Sequence, residues 1–254
     1  MTTSAKPVTL ITGASSGVGA ALARRFARHG EHVALMARRR PLLEQLAAEI
    51  AAGGGSAEAL PCDVTDASAV RDSVNAVLQR HGRIDRLILN AGGGGRMPPE
   101  QLTAAEMRAA FDLNVLGVAH VIEAALPALL RQGQGQIVAI GSIAGFRGLP
   151  HAAAYGAAKA ALMNYMESLR LDLAPKGIAV TLAAPGFIAS RDTRKKRAKP
   201  MSIALDPAAD LLFAAILAKR AYVSFPWRLA WIGRLMRLLP AALYDPIIRR
   251  LDRR

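Results

Sequence analysis

Tyr155 and Lys159 are the residues whose types and spacing point most directly to chemistry. They lie four positions apart in a stretch of good helix formers, 152–165, that no proline interrupts before Pro175. At this spacing both side chains emerge on one face of a helix, one turn apart. A cation close to a phenol favours the phenolate and lowers the tyrosine pKa towards neutral pH. The pair predicts a general acid or base, and the alternative is a packed tyrosine beside an ordinary surface lysine.

A glycine-rich turn near the start of the chain predicts a phosphate site. The short β-branched run 8–12 is typical of a buried strand, and it leads into Thr12-Gly13-Ala14-Ser15-Ser16-Gly17-Val18-Gly19 and a helical stretch. Glycines let the backbone approach a phosphate, and the N-terminus of a helix offers N–H groups to an anion. The G-x-x-x-G-x-G spacing differs from the commoner G-x-G-x-x-G fingerprint. Glycine turns also occur without ligands, so this motif alone leaves both interpretations open.

Arginines follow the second predicted strand, 32–37. Dinucleotide-binding folds specific for NAD usually carry an acidic residue there for the ribose 2′-hydroxyl. A guanidinium suits a 2′-phosphate instead, by charge and by bidentate geometry. Arg38 directly follows the strand and is our candidate, and Ser15 is placed to help. For Arg39 and Arg40 the alternative is a cap on the solvent side of the next helix.

Strands and helices alternate along the rest of the chain. Further strands are predicted at 57–61, 87–90, 136–141, 178–182 and 221–225, and helices at 42–52, 67–81, 102–130, from 152 onward and at 206–219. The alternation predicts an α/β fold with a doubly wound parallel sheet of about seven strands, helices on both faces and ligands at the carboxyl ends of the strands. Asp63 and Asn90 sit at such ends, where they either cap turns or lie beside an adenosine.

Composition limits the class of protein. A chain of 254 residues is about the size of one domain. The single Cys62 excludes an internal disulfide and suits a reducing compartment, and no apolar window of about 18 residues is free of charge. We therefore expect a cytoplasmic protein. Of the net charge of +14, the segment from Arg191 onward supplies 15 Lys/Arg against 5 Asp/Glu, or +10, which suggests an anionic partner for that quarter.

The ordered set of motifs resembles the short-chain dehydrogenase/reductase family of the Tyr-x-x-x-Lys type, over about residues 7–225. The set comprises Thr12-Gly13-x-x-x-Gly17-x-Gly19, Asp63, Asn90-Ala91-Gly92, Asn114, Ser142, Tyr155-x-x-x-Lys159 and Pro185-Gly186. Each motif alone is weak, but agreement among independent signals is specific. The resemblance implies a Rossmann-like NAD(P)-binding catalytic domain over 1–225, with 226–254 as an extension of the same domain.

The resemblance also assigns roles. Tyr155 would donate a proton to the carbonyl oxygen as hydride arrives from the nicotinamide, and Ser142 would hydrogen-bond that oxygen. Lys159 would hold the nicotinamide ribose and lower the tyrosine pKa, and Asn114 would position a water that links Lys159 to solvent. The coenzyme-binding residues would be Thr12, Gly13, Ser15, Ser16, Gly17, Val18, Gly19, Arg38, Asp63, Val64, Asn90, Ala91, Gly92, Tyr155, Lys159, Pro185, Gly186, Ile188 and Ser190. Ser190 stands where many members have threonine and keeps the hydroxyl that binds the carboxamide.

The function implied is reduction of a ketone or aldehyde, hydrophobic or acyl-type, to an alcohol, with NADP(H) preferred over NAD(H) because of Arg38. We expect a small-molecule substrate, no metal, no nucleic acid, and a homodimer or homotetramer. The alternative is a non-catalytic dinucleotide-binding sensor or scaffold that acts through its basic tail. The intact set of Tyr155, Lys159, Ser142 and Asn114 weighs against it.

Two C-terminal segments lie outside the motif set. The basic segment 187–200 is either a solvated loop or a contact for an acidic substrate, an acidic carrier or anionic lipid. Residues 226–240, bounded by prolines, predict an amphipathic helix whose apolar face holds Trp227, Trp231, Ile232, Leu235, Met236, Leu238 and Leu239. The helix is too short to span a bilayer, and its tryptophans and arginines suit the lipid interface of an anionic membrane at the cytoplasmic face. The alternative is packing on its own domain or on a twin subunit.

Overall fold

The computed structural model of the protein describes residues 6–94, 97–189 and 201–252. Its strands are β1 (Val8–Thr12), β2 (His32–Ala37), β3 (Ser56–Pro61), β4 (Arg86–Leu89), β5 (Gly135–Ile140), β6 (Ile178–Ala183), β7 (Ile188–Ala189), β8 (Ile203–Ala204) and β9 (Tyr222–Val223). A seven-stranded parallel sheet has the order β3-β2-β1-β4-β5-β6-β9, and β7 pairs with β8 separately. The predicted parallel sheet of about seven strands is confirmed.

Helices connect the strands and cover both faces of the sheet. They are α1 (Gly17–Arg28), α2 (Arg40–Ala52), α3 (Ala67–His81), α4 (Ala104–Phe111), α5 (Gly117–Gln132), α6 (Ala153–Leu173), α7 (Leu205–Leu217), α8 (Trp227–Leu238) and α9 (Ala241–Asp252). Helices α3, α5 and α6 bury their apolar sides against one face of the sheet, and α1, α2 and α7 against the other. The fold is therefore a Rossmann-like doubly wound α/β fold.

Strand β4 shows why the central strands are apolar throughout. Leu87 and Leu89 pack with α3, α5 and α6, whereas Ile88, between them, packs with α1 and α7 on the opposite face. Because successive side chains of a strand point to opposite faces, a strand covered on both faces needs apolar residues at every position. This requirement accounts for the unbroken apolar runs in the sequence.

The strand order reverses beside β1, and this reversal positions the site. β1 pairs with β2 on one side and with β4 on the other, with Ile11 opposite Ile88. The carboxyl ends of these two strands flank the crevice in which doubly wound sheets bind ligands. The glycine turn after β1 and the Asn90 segment after β4 are brought together there.

The predicted helical region 102–130 is interrupted at its centre. α4 ends at Phe111, a π-helical turn spans Asp112–Leu116, and α5 continues from Gly117. Asn114 lies in that turn and is fully buried. A π-turn inserts an extra residue into the helix and redirects a side chain, and such turns are frequent at functional sites.

One helical segment among the described residues, Ala104–Gln132, is long and apolar enough to cross a membrane, with 44% of its most apolar window buried. Val121, Ala125 and Leu129 on this segment are fully buried in the core that also contains α3 and α6. The apolar character of this segment is therefore explained by its packing against the sheet.

Candidate active site

Asn90 connects the glycine turn to the end of β4 through hydrogen bonds. Its Nδ2 donates to the carbonyl oxygens of Thr12 at 3.1 Å and Gly13 at 3.2 Å. The Thr12 hydroxyl oxygen accepts from the backbone N–H groups of Asn90 at 3.0 Å and Ala91 at 2.9 Å. Asn90 was predicted either to cap a turn or to lie beside an adenosine, and its amide holds the turn.

Two glycines of the turn are required by close approach. Gly13 has a φ of +64°, and a Cβ built there would lie 2.9 Å from the Cα of Ala91. A Cβ on Gly19 would lie 2.5 Å from the carbonyl oxygen of Gly13. A side chain at either position would push the turn away from β4, so these glycines keep the cradle at the crevice.

The start of α1 suits a phosphate group. Ser16 is the N-cap in an extended conformation, its side chain makes no capping hydrogen bond, and the first turn has no acidic residue. A Cβ on Gly17 would meet nothing within 4 Å, so the turn opens to free space there. N–H groups without a side-chain cap and the positive end of the helix dipole favour an anion. The residues present therefore fit the pyrophosphate of a dinucleotide.

The guanidinium at the glycine turn belongs to Arg39. Its Nη2 donates to the Ser15 hydroxyl at 2.8 Å and to the Ser16 hydroxyl at 2.7 Å. Arg38, our candidate from the sequence, is 77% exposed, and its Nη1 lies 3.8 Å from a carboxylate oxygen of Asp63. The position of an arginine after a strand locates its backbone, but it does not show which way the long side chain points. Arg39 contacts the turn, whereas Arg38 faces the Asp63 carboxylate.

Asp63 and Val64 follow β3, at the same edge of the sheet as the turn. Oδ1 of Asp63 accepts from the backbone N–H of Thr65 at 3.0 Å and from its hydroxyl at 2.9 Å. Val64 is buried, and its carbonyl oxygen accepts from Nδ1 of His120 at 3.0 Å. One oxygen of Asp63 thus shapes its own turn, while Oδ2 faces Arg38.

Lys159 is buried beneath the site. Its Nζ donates to the carbonyl oxygen of Ile140, at the end of β5, at 2.9 Å. Burial disfavours the charged form and lowers the pKa of Lys159 to about 8. The surface-lysine alternative is excluded by the burial of this side chain. At neutral pH the ammonium form still predominates, held by a carbonyl dipole.

The side chain of Asn114 is hydrogen-bonded to the loop that follows β4. Its Nδ2 donates to the carbonyl oxygens of Gly93 and Ala110, both at 2.9 Å, and its Oδ1 accepts from the Gly93 N–H at 3.2 Å. A Cβ on Gly92 would lie 2.8 Å from Oδ1 of Asn114 and 3.1 Å from Nζ of Lys159. The π-turn therefore delivers the Asn114 amide to the immediate surroundings of Lys159.

Tyr155 and Ser142 lie together at the same site. Burial raises the pKa of Tyr155, and a hydrogen bond with Ser142 offsets part of this increase. The direction is opposite to the predicted lowering by Lys159, whose Nζ lies 5.8 Å from the centroid of the phenol ring. Ser142 also accepts from the backbone N–H of Ala144 at 3.1 Å, which fixes its position at the start of a 3₁₀ turn.

The loop at Gly94 passes directly against the phenol. A Cβ on Gly94 would lie 2.4 Å from Cδ2 of Tyr155. Gly94 is not among the site residues predicted from the motifs, and its signal in the sequence is the run of glycines that begins at Gly92.

The Pro185-Gly186 segment forms the other side of the site. The carbonyl oxygen of Pro185 accepts from the N–H of Ile143 at 3.2 Å, next to Ser142, and the N–H of Gly186 donates to the carbonyl of Phe225 at 2.7 Å. Ile188 pairs with Ile203 in the small β7–β8 sheet. Ser190 and the basic residues 191–200 lie outside the described residues.

The family of the chain follows from a match over most of its length. A family model for short chain dehydrogenases matches residues 7–201. The protein belongs to the short-chain dehydrogenase family. It is accordingly an oxidoreductase that acts on CH–OH or C=O groups, with a fold that binds a nicotinamide dinucleotide.

Three members of the family illustrate the similarity. An uncharacterized oxidoreductase of Myxococcus xanthus is 40% identical over 243 residues, which cover 95% of this chain and 96% of that protein. A 7α-hydroxysteroid dehydrogenase complexed with NADH and 7-oxo glycochenodeoxycholic acid has a TM-score of 0.79 at 26% identity, covering 86% and 92% of the two chains. A metagenomic short-chain oxidoreductase in complex with NADP has a TM-score of 0.75 at 32% identity, covering 87% and 98%.

The Myxococcus similarity extends beyond the family model. Because it covers 95% of this chain, at most about 13 residues lie outside it, so much of the 29-residue stretch 226–254 must be included. The C-terminal extension is therefore shared with this relative.

Proposed function

We propose that this short-chain dehydrogenase is an NADPH-dependent reductase that converts a ketone or aldehyde to an alcohol, with Tyr155 as general acid. The observation that carries the proposal is the convergence of a buried lysine, a buried asparagine and a hydrogen-bonded serine–tyrosine pair beside the glycine turn. A protein that only bound a dinucleotide would have no physical need for the whole set, above all for a hydrogen-bonded serine–tyrosine pair next to a buried ammonium group.

The coenzyme would be held by residues of three segments. The turn 12–19 and the first N–H groups of α1 would bind the pyrophosphate, and Arg39 with Arg38 would bind a 2′-phosphate. Lys159 would hold the nicotinamide ribose, and the Pro185-Gly186 segment would line the nicotinamide side. The chemistry that bound reduced nicotinamide supplies is a hydride for the carbonyl carbon.

The proton would come from Tyr155. Because burial raises its pKa, this phenol keeps its proton at neutral pH and is suited to donate it to the carbonyl oxygen, where negative charge develops during reduction. The Ser142 hydroxyl would donate a hydrogen bond to the same oxygen. The ammonium group of Lys159 would stabilise the phenolate left on Tyr155. Asn114 would position the water that links Lys159 to solvent, so that the phenolate regains a proton.

Preference for NADPH over NADH is supported by charge at the turn. Arg39 already donates to the hydroxyls of Ser15 and Ser16, so a phosphate on the adenosine ribose would meet a positioned guanidinium. Among the similar structures, one family member is bound to NADP and another to NADH. The arginines of this chain favour the phosphorylated coenzyme.

We also infer that the enzyme works in the cytoplasm on a small-molecule substrate, as a homodimer or homotetramer. The single free cysteine, Cys62, suits a reducing compartment, and oligomers are common in this family.

The test is turnover with a panel of aldehydes and ketones, followed through NADPH oxidation. Tyr155→Phe keeps the ring and removes the proton, so we expect kcat to fall at least about 10²-fold. Tyr165→Phe, on the same helix but outside the site, is the matched control and should retain kcat within a few-fold. If the wild-type chain binds NADPH but reduces no member of the panel, or if Tyr155→Phe retains full activity, the proposal fails and a non-catalytic dinucleotide-binding protein is favoured.

A further inference from the structure

The C-terminal helices expose an unusual number of large apolar side chains. Both tryptophans of the protein are on α8, and Trp227 is 65% and Trp231 63% exposed. We call the following eight exposed side chains the apolar platform: Trp227, Trp231, Ile232, Leu235, Leu238, Leu243, Ile247 and Leu251. Single exposed apolar residues are ordinary, but a concentration of this kind in 25 residues marks an interaction surface.

Helical spacing collects these side chains into stripes. On α8, Trp227, Trp231, Leu235 and Leu238 recur every three or four residues, and on α9 Leu243, Ile247 and Leu251 recur every four. Side chains at such spacing share one face of a helix. Each helix therefore presents one solvent-exposed apolar stripe.

The other side of α8 packs on the catalytic domain. A Cβ on Gly233 would lie 2.8 Å from Cδ2 of Phe146, and a Cβ on Gly186 would lie 2.9 Å from a methyl carbon of Leu229. Phe146 itself is buried. The predicted alternative of packing on its own domain is thus correct for this inner side. It leaves the tryptophan stripe exposed, with the Arg228 guanidinium 5.3 Å from the ring centroid of Trp227.

Arg147 fixes both helices to the catalytic loop. Its Nη1 donates to the carbonyl oxygens of Met236 and Leu239, the latter at 2.6 Å, and its guanidinium lies 3.8 Å from the ring centroid of Tyr244. The Tyr244 hydroxyl donates to the carbonyl of Gly148. The platform is therefore one helix away from the segment that begins at Ser142.

Positive charge accompanies the platform. Residues 226–254 contain seven arginines and two aspartates. Five of the arginines lie on the two helices, namely Arg228, Arg234, Arg237, Arg249 and Arg250, and the Arg234 guanidinium lies 4.5 Å from the ring centroid of Tyr222. Tryptophan and leucine beside arginine are the residues that place a helix in the interface of an anionic bilayer, with rings among the headgroups and guanidinium groups on phosphates.

A second copy of the chain fits this surface less well. A symmetric contact would bring two copies of the same strongly basic surface together, which costs free energy unless acidic groups intervene. The cores of protein interfaces are also depleted of charge, whereas Arg228 lies within the exposed side of α8.

We propose that the apolar platform docks the enzyme on anionic lipid and that its substrate is a carbonyl compound dissolved in the membrane. The identity of the substrate as a carbonyl compound rests on the proposed function; the docking does not. Because α8 contacts Phe146, four residues after Ser142, a carbonyl compound held in the lipid under α8 would lie close to the site.

Docking is tested by flotation of the full chain with phosphatidylcholine vesicles, with and without phosphatidylglycerol. We expect flotation with the anionic vesicles at low salt and release at high salt. Trp227→Gln/Trp231→Gln should abolish it, whereas Leu171→Gln, which removes an equally exposed side chain (65%) from α6, should float as the wild type does. Arg228→Gln and Arg237→Gln should each weaken binding by about fivefold. Thermal melting establishes that the variants are folded.

The substrate class is tested with a long-chain ketone in the vesicles and a short water-soluble ketone in the same assay. We expect the ratio of the vesicle-borne rate to the soluble rate to fall at least about tenfold in Trp227→Gln/Trp231→Gln, because the double variant stays in solution. An unchanged ratio would overturn the substrate class. Failure of the wild type to float, or flotation that survives the double substitution, would overturn the docking. The docking would also be overturned if the wild type were a dimer and Trp227→Gln/Trp231→Gln alone among the variants were a monomer. Flotation without any carbonyl turnover would instead refute the proposed reductase function.

Discussion

The ammonium group of Lys159 donates a hydrogen bond to the carbonyl oxygen of Ile140 at 2.9 Å, and its burial lowers the pKa of Lys159 to about 8. Ile140 ends β5, and Lys159 lies on α6, which packs against one face of the sheet, whereas the Ile140 side chain packs on the other face. A carbonyl dipole stabilises the ammonium without neutralising it, so the positive charge remains available to a ribose hydroxyl and to the phenol of Tyr155.

The first prediction concerns pH and stability. The unfolded chain keeps the Lys159 proton up to about pH 10.5, whereas the folded chain releases it near pH 8, so the unfolded state binds more protons between these values. Stability due to this group therefore rises with pH across that window. Relative to Lys159→Met, we expect the free energy of unfolding of the wild type to increase by about 3 kcal/mol from pH 7 to pH 10.5.

Urea unfolding of both proteins across this pH range measures the difference. Lys176→Met, which removes an exposed lysine, is the control. A difference between wild type and Lys159→Met that stays constant with pH would show that Lys159 does not titrate as a buried amine.

Much of the fold was predictable from the sequence because burial on both faces imposes unbroken apolar strands, such as Val8–Thr12, between amphipathic helices. The short edge strand Tyr222–Val223 was predicted too long, at 221–225, because an apolar run does not show where ladder hydrogen bonds end. The helix α9 was not predicted, since Pro246 lies inside it and only one side of it is packed.

The site was predictable in composition and less so in geometry. The motifs identified Tyr155, Lys159, Ser142 and Asn114, and the structure brings all four together. The sequence could not show that a π-turn buries Asn114, because the extra residue leaves no mark in periodicity. It also gave the wrong direction for the pKa of Tyr155, since spacing reports the proximity of a cation but not the depth of burial.

The second prediction compares the arginines at the coenzyme site. Because Arg39 donates to the hydroxyls of Ser15 and Ser16 while Arg38 extends into solvent, we expect Arg39→Ala to raise KM for NADPH by about 10–100-fold. Arg38→Ala should raise it less, and KM for NADH should change little in either variant.

Arg40→Ala is the matched control, since Arg40 is exposed and pairs only weakly with Glu44 at 3.5 Å. Initial rates with both coenzymes measure the effects. Equal effects of the three substitutions on KM would mean that only net charge matters. If the wild type used NADH as efficiently as NADPH, the assignment of the 2′-phosphate to these arginines would be refuted.

The third prediction concerns the attachment of the C-terminal helices. Arg147 bonds the last carbonyl groups of α8 and lies over the ring of Tyr244, so its removal leaves the helix end uncapped and the ring uncovered. We expect Arg147→Ala to accelerate amide hydrogen exchange in 227–252 by about 30–100-fold, with little change in β1 and β4.

Hydrogen exchange followed by mass spectrometry measures this locally. Arg131→Ala removes an exposed arginine from the end of α5 and should leave exchange in 227–252 unchanged. If Arg147→Ala instead destabilises the whole sheet equally, the extension unfolds together with the domain and Arg147 is not its local attachment.

The fourth prediction concerns a buried ion pair that the sequence did not reveal. Nη1 of Arg86 donates to both carboxylate oxygens of Glu31, at 2.6 and 2.8 Å, and to the Thr9 hydroxyl at 3.1 Å. Its Nε donates to the side-chain oxygen of Gln136 at 2.9 Å. Removing Arg86 would leave the buried Glu31 carboxylate without its guanidinium, with the Thr9 hydroxyl as donor and the His29 ring at 3.4 Å, and we expect Arg86→Met to cost about 3–5 kcal/mol in the free energy of unfolding.

An exposed pair with similar hydrogen bonds provides the comparison. Arg24 and Glu49 form two hydrogen bonds of 2.6 and 2.7 Å at the surface. Because water solvates both groups when the pair is broken, Arg24→Ala should cost only about 0.2–1 kcal/mol. The double variant Glu31→Gln/Arg86→Met should recover part of the loss, since the amide carries no charge that must be compensated. Equal costs for Arg86→Met and Arg24→Ala in urea unfolding would show that burial does not set the strength of the Arg86–Glu31 pair.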